Sequence, residues 1–272
     1  MKRSFAQLEP WRKAILLAGL SAVLLAIVLL FAYQYFEQPT SQRFGATVTS
    51  GPPNQKVVAL TYDDGPNPPY TAAILGVLEK EHVHATFFLV GRAVAADPAD
   101  VRREARDGDA LGNHTWDHPH LVVMTRTQIR RSMQRTDDAI FAVTHQHTRI
   151  MRPPFGARDW PVMQVLRKMG YTVVMWSVPL AKDWEYPPAT VIAARELKRV
   201  RDGSIVVLHD GNRGQLCRQR HLNPHMCDRS HDIEATRIIV RTLKRRGFRF
   251  LTIPQLIQAG AAVKRTSAPG IE

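Results

Sequence analysis

Apolar and polar positions alternate along this chain in two rhythms. Short apolar runs, most of them closed at once by turn residues, predict buried strands at 57–60, 85–90, 110–113, 171–176, 204–208 and 248–252, and a short segment at 148–151 leads into Arg152-Pro153-Pro154. Between them, helical segments are expected at 70–80, 91–107, 125–143, 158–169, 188–200 and 233–246, two of them closed by Gly170 and Gly247 as C-terminal stops. Repeated strand–helix alternation with apolar strands implies a parallel sheet covered by helices. About seven strands are enough to curl into a barrel, so the expected fold class is α/β, a distorted (β/α) barrel. No internal repeat or low-complexity tract interrupts it.

One run differs in kind. Residues 14–33 form an uncharged apolar stretch long enough to span a bilayer. Lys2, Arg3, Arg12 and Lys13 precede it, and Tyr33, Tyr35 and Phe36 follow. Basic residues hold their side in the cytoplasm, and aromatic residues suit the far interface. A cleaved signal peptide is the rival reading, but the run exceeds a usual signal core and lacks a small-x-small site before Tyr33. The expected organisation is a cytoplasmic tail (1–13), a transmembrane signal anchor (14–33), a polar linker (34–55), one catalytic domain outside the cytoplasm (56–262) and a C-terminal tail (263–272). With 272 residues and 44% hydrophobic composition, a single substantial core is affordable.

The formal net charge is +13, and only a small part of it lies in the N-terminal tail. A basic domain outside the membrane suits anionic wall polymer or lipid headgroups, or is simply a soluble surface. No nucleic-acid-binding motif is present. Cys217 and Cys227 are the two cysteines, and in an oxidising compartment such a close pair is read as a disulfide closing a loop. A second zinc site with His221, His225 and His231 is the alternative, though the spacing fits no standard finger.

The residues with chemistry fall just after strand ends, where parallel barrels carry their active sites. Asp63-Asp64-Gly65-Pro66 is good turn chemistry on its own. It also offers two carboxylates, one able to ligate a metal while the other handles a proton. His114 and His118 stand at i and i+4, which on one helical turn lets two neutral imidazoles grip one cation. A carboxylate from the first strand would complete a three-ligand site with an open position, as a hydrolytic centre needs. Arg152 sits on a rigid Pro-Pro turn, placed to hold a carboxylate bidentately or to bond a backbone carbonyl. Leu208-His209-Asp210 sets another histidine at a strand end.

These residues in this order resemble the polysaccharide deacetylase family, carbohydrate esterase family 4, with its chitooligosaccharide deacetylase homology domain. The resemblance covers roughly residues 56–259. Thr61 to Pro66 is similar to its first motif, with Tyr62 where Phe is commoner; His114-Thr115-Trp116-Asp117-His118 to its second; Arg152 to Gly156 to its third; Val207-Leu208-His209 to its fifth. The resemblance implies that Asp64, His114 and His118 bind a divalent metal, zinc by type, and that Asp63 is the base, His209 the acid and Arg152 the orienter of Asp63. It further implies that the Phe155 N–H holds the oxyanion, and that Trp184 and Leu208 wall a pocket for the acetyl methyl. The fourth motif, usually Asp-x-x-Asp-Trp, departs here: Pro179 stands near the first Asp, the loop is one residue longer, and Asp183-Trp184 remains. Asp183 is therefore the candidate partner of His209. The implied activity is N-deacetylation of an N-acetylated glycan of the cell wall. The alternatives are hydrolysis of another amide or imide, or a glycan-binding module that has lost turnover.

Overall fold

The structure, a computed structural model, describes residues 9–212 and 227–266, with backbone alone for 29–37 and 261–266. Seven strands, β1 (Val57–Asp63), β2 (Thr86–Leu89), β3 (Ala110–Asn113), β4 (Ile150–Met151), β5 (Thr172–Val173), β6 (Ser204–His209) and β7 (Arg249–Phe250), form one parallel sheet. The order is β5-β4-β3-β2-β1-β6, with β7 paired to the start of β1. The helices are α1 (Pro10–Glu37), α2 (Tyr70–Lys80), α3 (Gly91–Ala96), α4 (Pro98–Asp107), α5 (Arg126–Thr144), α6 (Trp160–Lys168), α7 (Ala189–Leu197), α8 (Ser230–Arg245) and α9 (Ile253–Thr266).

β1 is buried along its whole length. Its alternating side chains feed two apolar clusters: Val58, Leu60 and Tyr62 pack with α2 and α8, while Val57 and Ala59 pack with Phe88, Ile205 and Val207. The expected barrel is present as a curled sheet, and among the described residues no strand ladder joins its edges β5 and β6. The Ser177 and Val178 amides donate instead to the Ile205 carbonyl (3.3 and 3.4 Å), and Ser177 Oγ accepts from the Ile205 amide (2.9 Å).

Three strands are shorter than expected. β5 stops at Val173: beyond it the Met175 amide donates to Val48 in a one-residue bridge at Val174, and the Met175 carbonyl accepts from Arg152 instead of from a neighbouring strand. The single helix expected over 91–107 is two helices. Pro98 has no N–H to continue α3 and disfavours helical geometry at Asp97 before it.

α1 is long and apolar enough to cross a membrane, and the span Pro10–Val28 is not buried against the domain. The residues after it do pack: Phe44 and Val48 join the second apolar cluster, and Val48 bridges Val174.

Candidate metal centre and active site

Successive strand residues point to opposite faces, so Asp63 and Asp64 should part company. They do not, because Asp64 lies just beyond β1 with φ of 79°, which turns its carboxylate toward the same cavity that Asp63 faces. Gly211 permits the arrangement from the other side. A Cβ there would lie 2.1 Å from the Asp64 carbonyl oxygen, so another residue would push the β6 exit away from the site.

His114 and His118 reach the cavity from the exit of β3. They are not on a helical turn, as the spacing suggested: Thr115 and His118 both have left-handed backbone (φ of 71° and 57°). The loop is held by its own polar groups. Asn113 Oδ1 accepts from the Thr115 amide (2.8 Å), Thr115 Oγ1 from the His118 amide (3.2 Å), and Ser132 Oγ from the Trp116 amide (2.9 Å). The result still converges. Asp64 Oδ1 lies 3.5 Å from His114 Nε2 and 3.3 Å from His118 Nε2, and one ligand atom from each residue lies within 4.8 Å of the others. The Arg152 carbonyl, 2.7 Å from His114 Nδ1, can only accept, so Nδ1 carries a proton and Nε2 is the nitrogen turned toward Asp64 and the cavity. Burial would raise the Asp64 carboxyl, but its bond to His114 and the neighbouring His118 and His209 hold it well below the usual carboxylate range. A carboxylate and two imidazoles are a donor set that fits a divalent transition metal.

Arg152 is wholly buried, with its guanidinium over the Phe88 ring (4.1 Å). Nη1 donates to Asp63 Oδ1 (2.6 Å) and Thr61 Oγ1 (2.8 Å), and Nη2 to the Met175 carbonyl (3.2 Å). Of the two uses expected of Arg152, the carboxylate is held through one nitrogen only, and the backbone carbonyl takes the other end of the fork.

His209 stands beside Asp63 across the β1–β6 ladder. Its Nδ1 lies 2.9 and 3.0 Å from the two Asp183 oxygens, and its amide donates to Asp183 Oδ2 (2.7 Å). Burial alone would lower the imidazole pKa; the Asp183 carboxylate more than offsets this and pushes it up to about 9. Asp183 is thus the carboxylate that faces His209 here. The loop is pinned despite its extra residue, since Glu196 accepts from the Ala181 amide (3.0 Å) and Arg195 donates to the Ala181 carbonyl (2.7 Å). Two other acids near in sequence are occupied elsewhere: Asp210 accepts from Thr71 Oγ1 (2.6 Å), and Asp159 caps α6 through the Val162 amide (2.8 Å).

The cavity measures about 230 Å³ and is lined by the metal-donor set, Asp63, His209, Phe155 and Trp184. Phe155 has φ of 59° and lies edge-on to His118, and Trp184 meets His209 edge-on. Leu208 is not on the wall. It points outward into the helix-covered cluster, and Val207, one residue earlier, lines the cavity instead, as strand alternation requires once His209 lies at its edge.

Two residues escaped the sequence reading. Asp232, buried on α8, hydrogen-bonds the Asp183 carboxyl, and burial pushes its own pKa well above the carboxylate range. Arg229, also buried, lines the cavity and donates from Nε to the Gly211 carbonyl (2.8 Å). Neither sits in a recognisable motif. Cys227 is disulfide-bonded. Its expected partner Cys217, with His221 and His225 of the alternative zinc reading, lies outside the described residues, and His231 stacks on Tyr186.

Comparison with known proteins agrees with this geometry. A family model described as polysaccharide deacetylase matches residues 50–174. The peptidoglycan-N-acetylglucosamine deacetylase PgdA of Listeria monocytogenes is 33% identical over 201 residues; the match takes in 74% of this chain but spans 39% of that protein. A chitooligosaccharide deacetylase of Azorhizobium caulinodans is 32% identical over 74% of this chain and 94% of its own length. Among solved structures, the Bc1960 peptidoglycan N-acetylglucosamine deacetylase superposes with a TM-score of 0.71 at 30% identity, covering 78% of this chain and 93% of that one. BA3943 of Bacillus anthracis, a CE4 family pseudoenzyme, superposes at 0.69 with 28% identity, over 79% and 69% of the two chains. On fold, motif order and similarity over about three quarters of its length, the chain belongs to the polysaccharide deacetylase family.

Proposed function

We propose that the protein is a metal-dependent hydrolase that removes N-acetyl groups from a polysaccharide, with cell-wall N-acetylglucosamine as the substrate class. Zinc is the ion the donor set suits best, and α1 anchors the domain outside the plasma membrane. The observation that carries the reading is the pairing of Asp63 and His209 across β1 and β6, in one cavity with the Asp64–His114–His118 donor set. A glycan-binding module needs neither a base nor an acid.

Asp64, His114 and His118 would hold a divalent ion, which would supply Lewis acidity to the reaction. Asp63, kept in place by Arg152, takes the proton from the attacking water. The Phe155 backbone N–H donates to the oxyanion as it develops. His209, held protonated by Asp183, gives its proton to the departing nitrogen, which is a poor leaving group as an anion. Val207 and Trp184 receive the acetyl methyl.

Asp183→Asn tests the acid. The carboxylate raises the His209 pKa, so activity needing imidazolium persists up to about pH 9 and fades above it. Without that charge the alkaline limb moves down toward the ordinary histidine value of about 6.5. At pH 8 the loss is then roughly 30-fold, while at pH 6 it is small. A limb that stays in place in a folded, metal-loaded variant removes Asp183 from the mechanism.

The function itself is tested with zinc-loaded protein and chitotetraose or peptidoglycan fragments. Acetate and free amine are expected in equal amounts. Saturable glycan binding with no acetate would instead place the chain beside pseudoenzymes such as BA3943.

A further inference from the structure

The segment between α1 and the barrel is tied down at one point by a single guanidinium. Arg158 is 2% exposed. Its Nη2 donates to the carbonyls of Gln38 (2.8 Å), Pro39 (3.3 Å) and Ser41 (2.9 Å), and its Nη1 to the carbonyl of Gly156 (3.0 Å). Gly156 and its neighbour Phe155 line the catalytic cavity. The first residues after α1 are therefore bonded to the rim of the site itself.

The path onward fixes which end of the barrel this is. α6 begins at the rim with Trp160 and runs back toward the opposite end, where the next strand starts. Gly45 lies against the Arg167 guanidinium, which itself reaches back to within 5.4 Å of the Trp160 ring, so the chain is there still beside the start of that helix. The chain thus leaves α1 at the active-site rim, bridges Val174 through Val48, and reaches the opposite end where the Gly51 amide donates to the Gly203 carbonyl (2.8 Å) just before β6. The exit of α1 and the mouth of the cavity share one face.

That face carries exposed apolar side chains. Val123 is 82% and Trp160 50% exposed. The segment bearing Val123 adjoins the cavity, because His120 stacks on Phe155 at 3.9 Å. A Trp and a branched apolar residue beside a membrane helix are suited to the headgroup region.

We propose that the active-site face is turned to the membrane: the Arg158 clamp holds the cavity mouth against the bilayer surface, Val123 and Trp160 enter its interface, and the site takes N-acetylated saccharide carried at the membrane, as on a lipid carrier, in preference to distant wall strands. The proposal rests on the reading of α1 as an anchor. Tethering at this height raises the effective concentration of the site toward membrane-borne sugar and lowers it toward polymer beyond reach.

The test uses full-length protein in vesicles of phosphatidylethanolamine and phosphatidylglycerol. A fluorophore is placed at Val123→Cys, or at Lys198→Cys beyond the C-terminal end of α7 and away from the rim, and quenching by doxyl-labelled lipid is measured. Flotation with the vesicles is checked first. Protein that does not float overturns the anchor reading, and the proposal with it. In floating protein, the label at 123 should be quenched at least threefold more than the label at 198. Arg158→Ala, in protein whose folding is confirmed by circular dichroism, should cut that difference by half or more. Equal quenching at both sites, or stronger quenching at 198, overturns the orientation while leaving the anchor in place. An undiminished difference in the Arg158 variant overturns the clamp.

Discussion

His114→Ala is expected to empty the metal site and stop turnover together. His114 contributes one of three donors, and its orientation is fixed by the Arg152 carbonyl rather than by the metal. A carboxylate and one imidazole remain, too few for a site that must also keep a position open for the reaction. Losing a mere supporting hydrogen bond around such a site costs about 10- to 100-fold in metal affinity, and losing a ligand costs more. Metal analysis after gel filtration should therefore show well under one equivalent, and acetate release should fall below about 1% of the parent. A variant that keeps a full equivalent of metal would remove His114 from the ligand set.

Asp63→Asn should separate chemistry from metal binding. The amide keeps the shape of the carboxylate but cannot accept a proton, and general-base removal costs about 100- to 10,000-fold. Asp64 and both histidines are untouched, so metal content should match the parent. Arg152 still finds Thr61 Oγ1 and the Met175 carbonyl, which limits the structural damage. Loss of turnover with metal retained and thermal unfolding near that of the parent is the expected pattern. Retained turnover would mean that another group takes the proton.

How much of this could be read in advance differs from residue to residue, for physical reasons. Strand ends are announced locally, by apolar runs meeting Asp-Gly or Pro-Pro, and that places Asp63, Asp64, Arg152 and His209 on one rim. The His114–His118 spacing was informative for a different reason than helical periodicity: a loop with two left-handed residues closes the same gap. Leu208 was misplaced by one position, since which side of β6 faces the cavity depends on how the sheet curls, and no single strand records that. Asp183 was visible as a candidate, but its bond to His209 needed the loop to be pinned by Glu196 and Arg195 from α7. Arg229 and Asp232 act through buried tertiary contacts, which leave no local pattern. Arg158 donates to backbone carbonyls, and carbonyls have no sequence signature at all. The start of α9 has a local signature: Pro254 suits a first helical turn, and Leu256 and Ile257 continue an apolar face into the domain.

The most direct test of the central claim is a metal titration of the stripped protein. Protein freed of metal by chelation and dialysis should release no acetate from chitotetraose. Stepwise zinc should restore release in proportion to the metal added, with a break at one equivalent per chain and no further gain beyond it. Acetate release by demonstrably metal-free protein, or no release at any zinc level, would contradict the assignment.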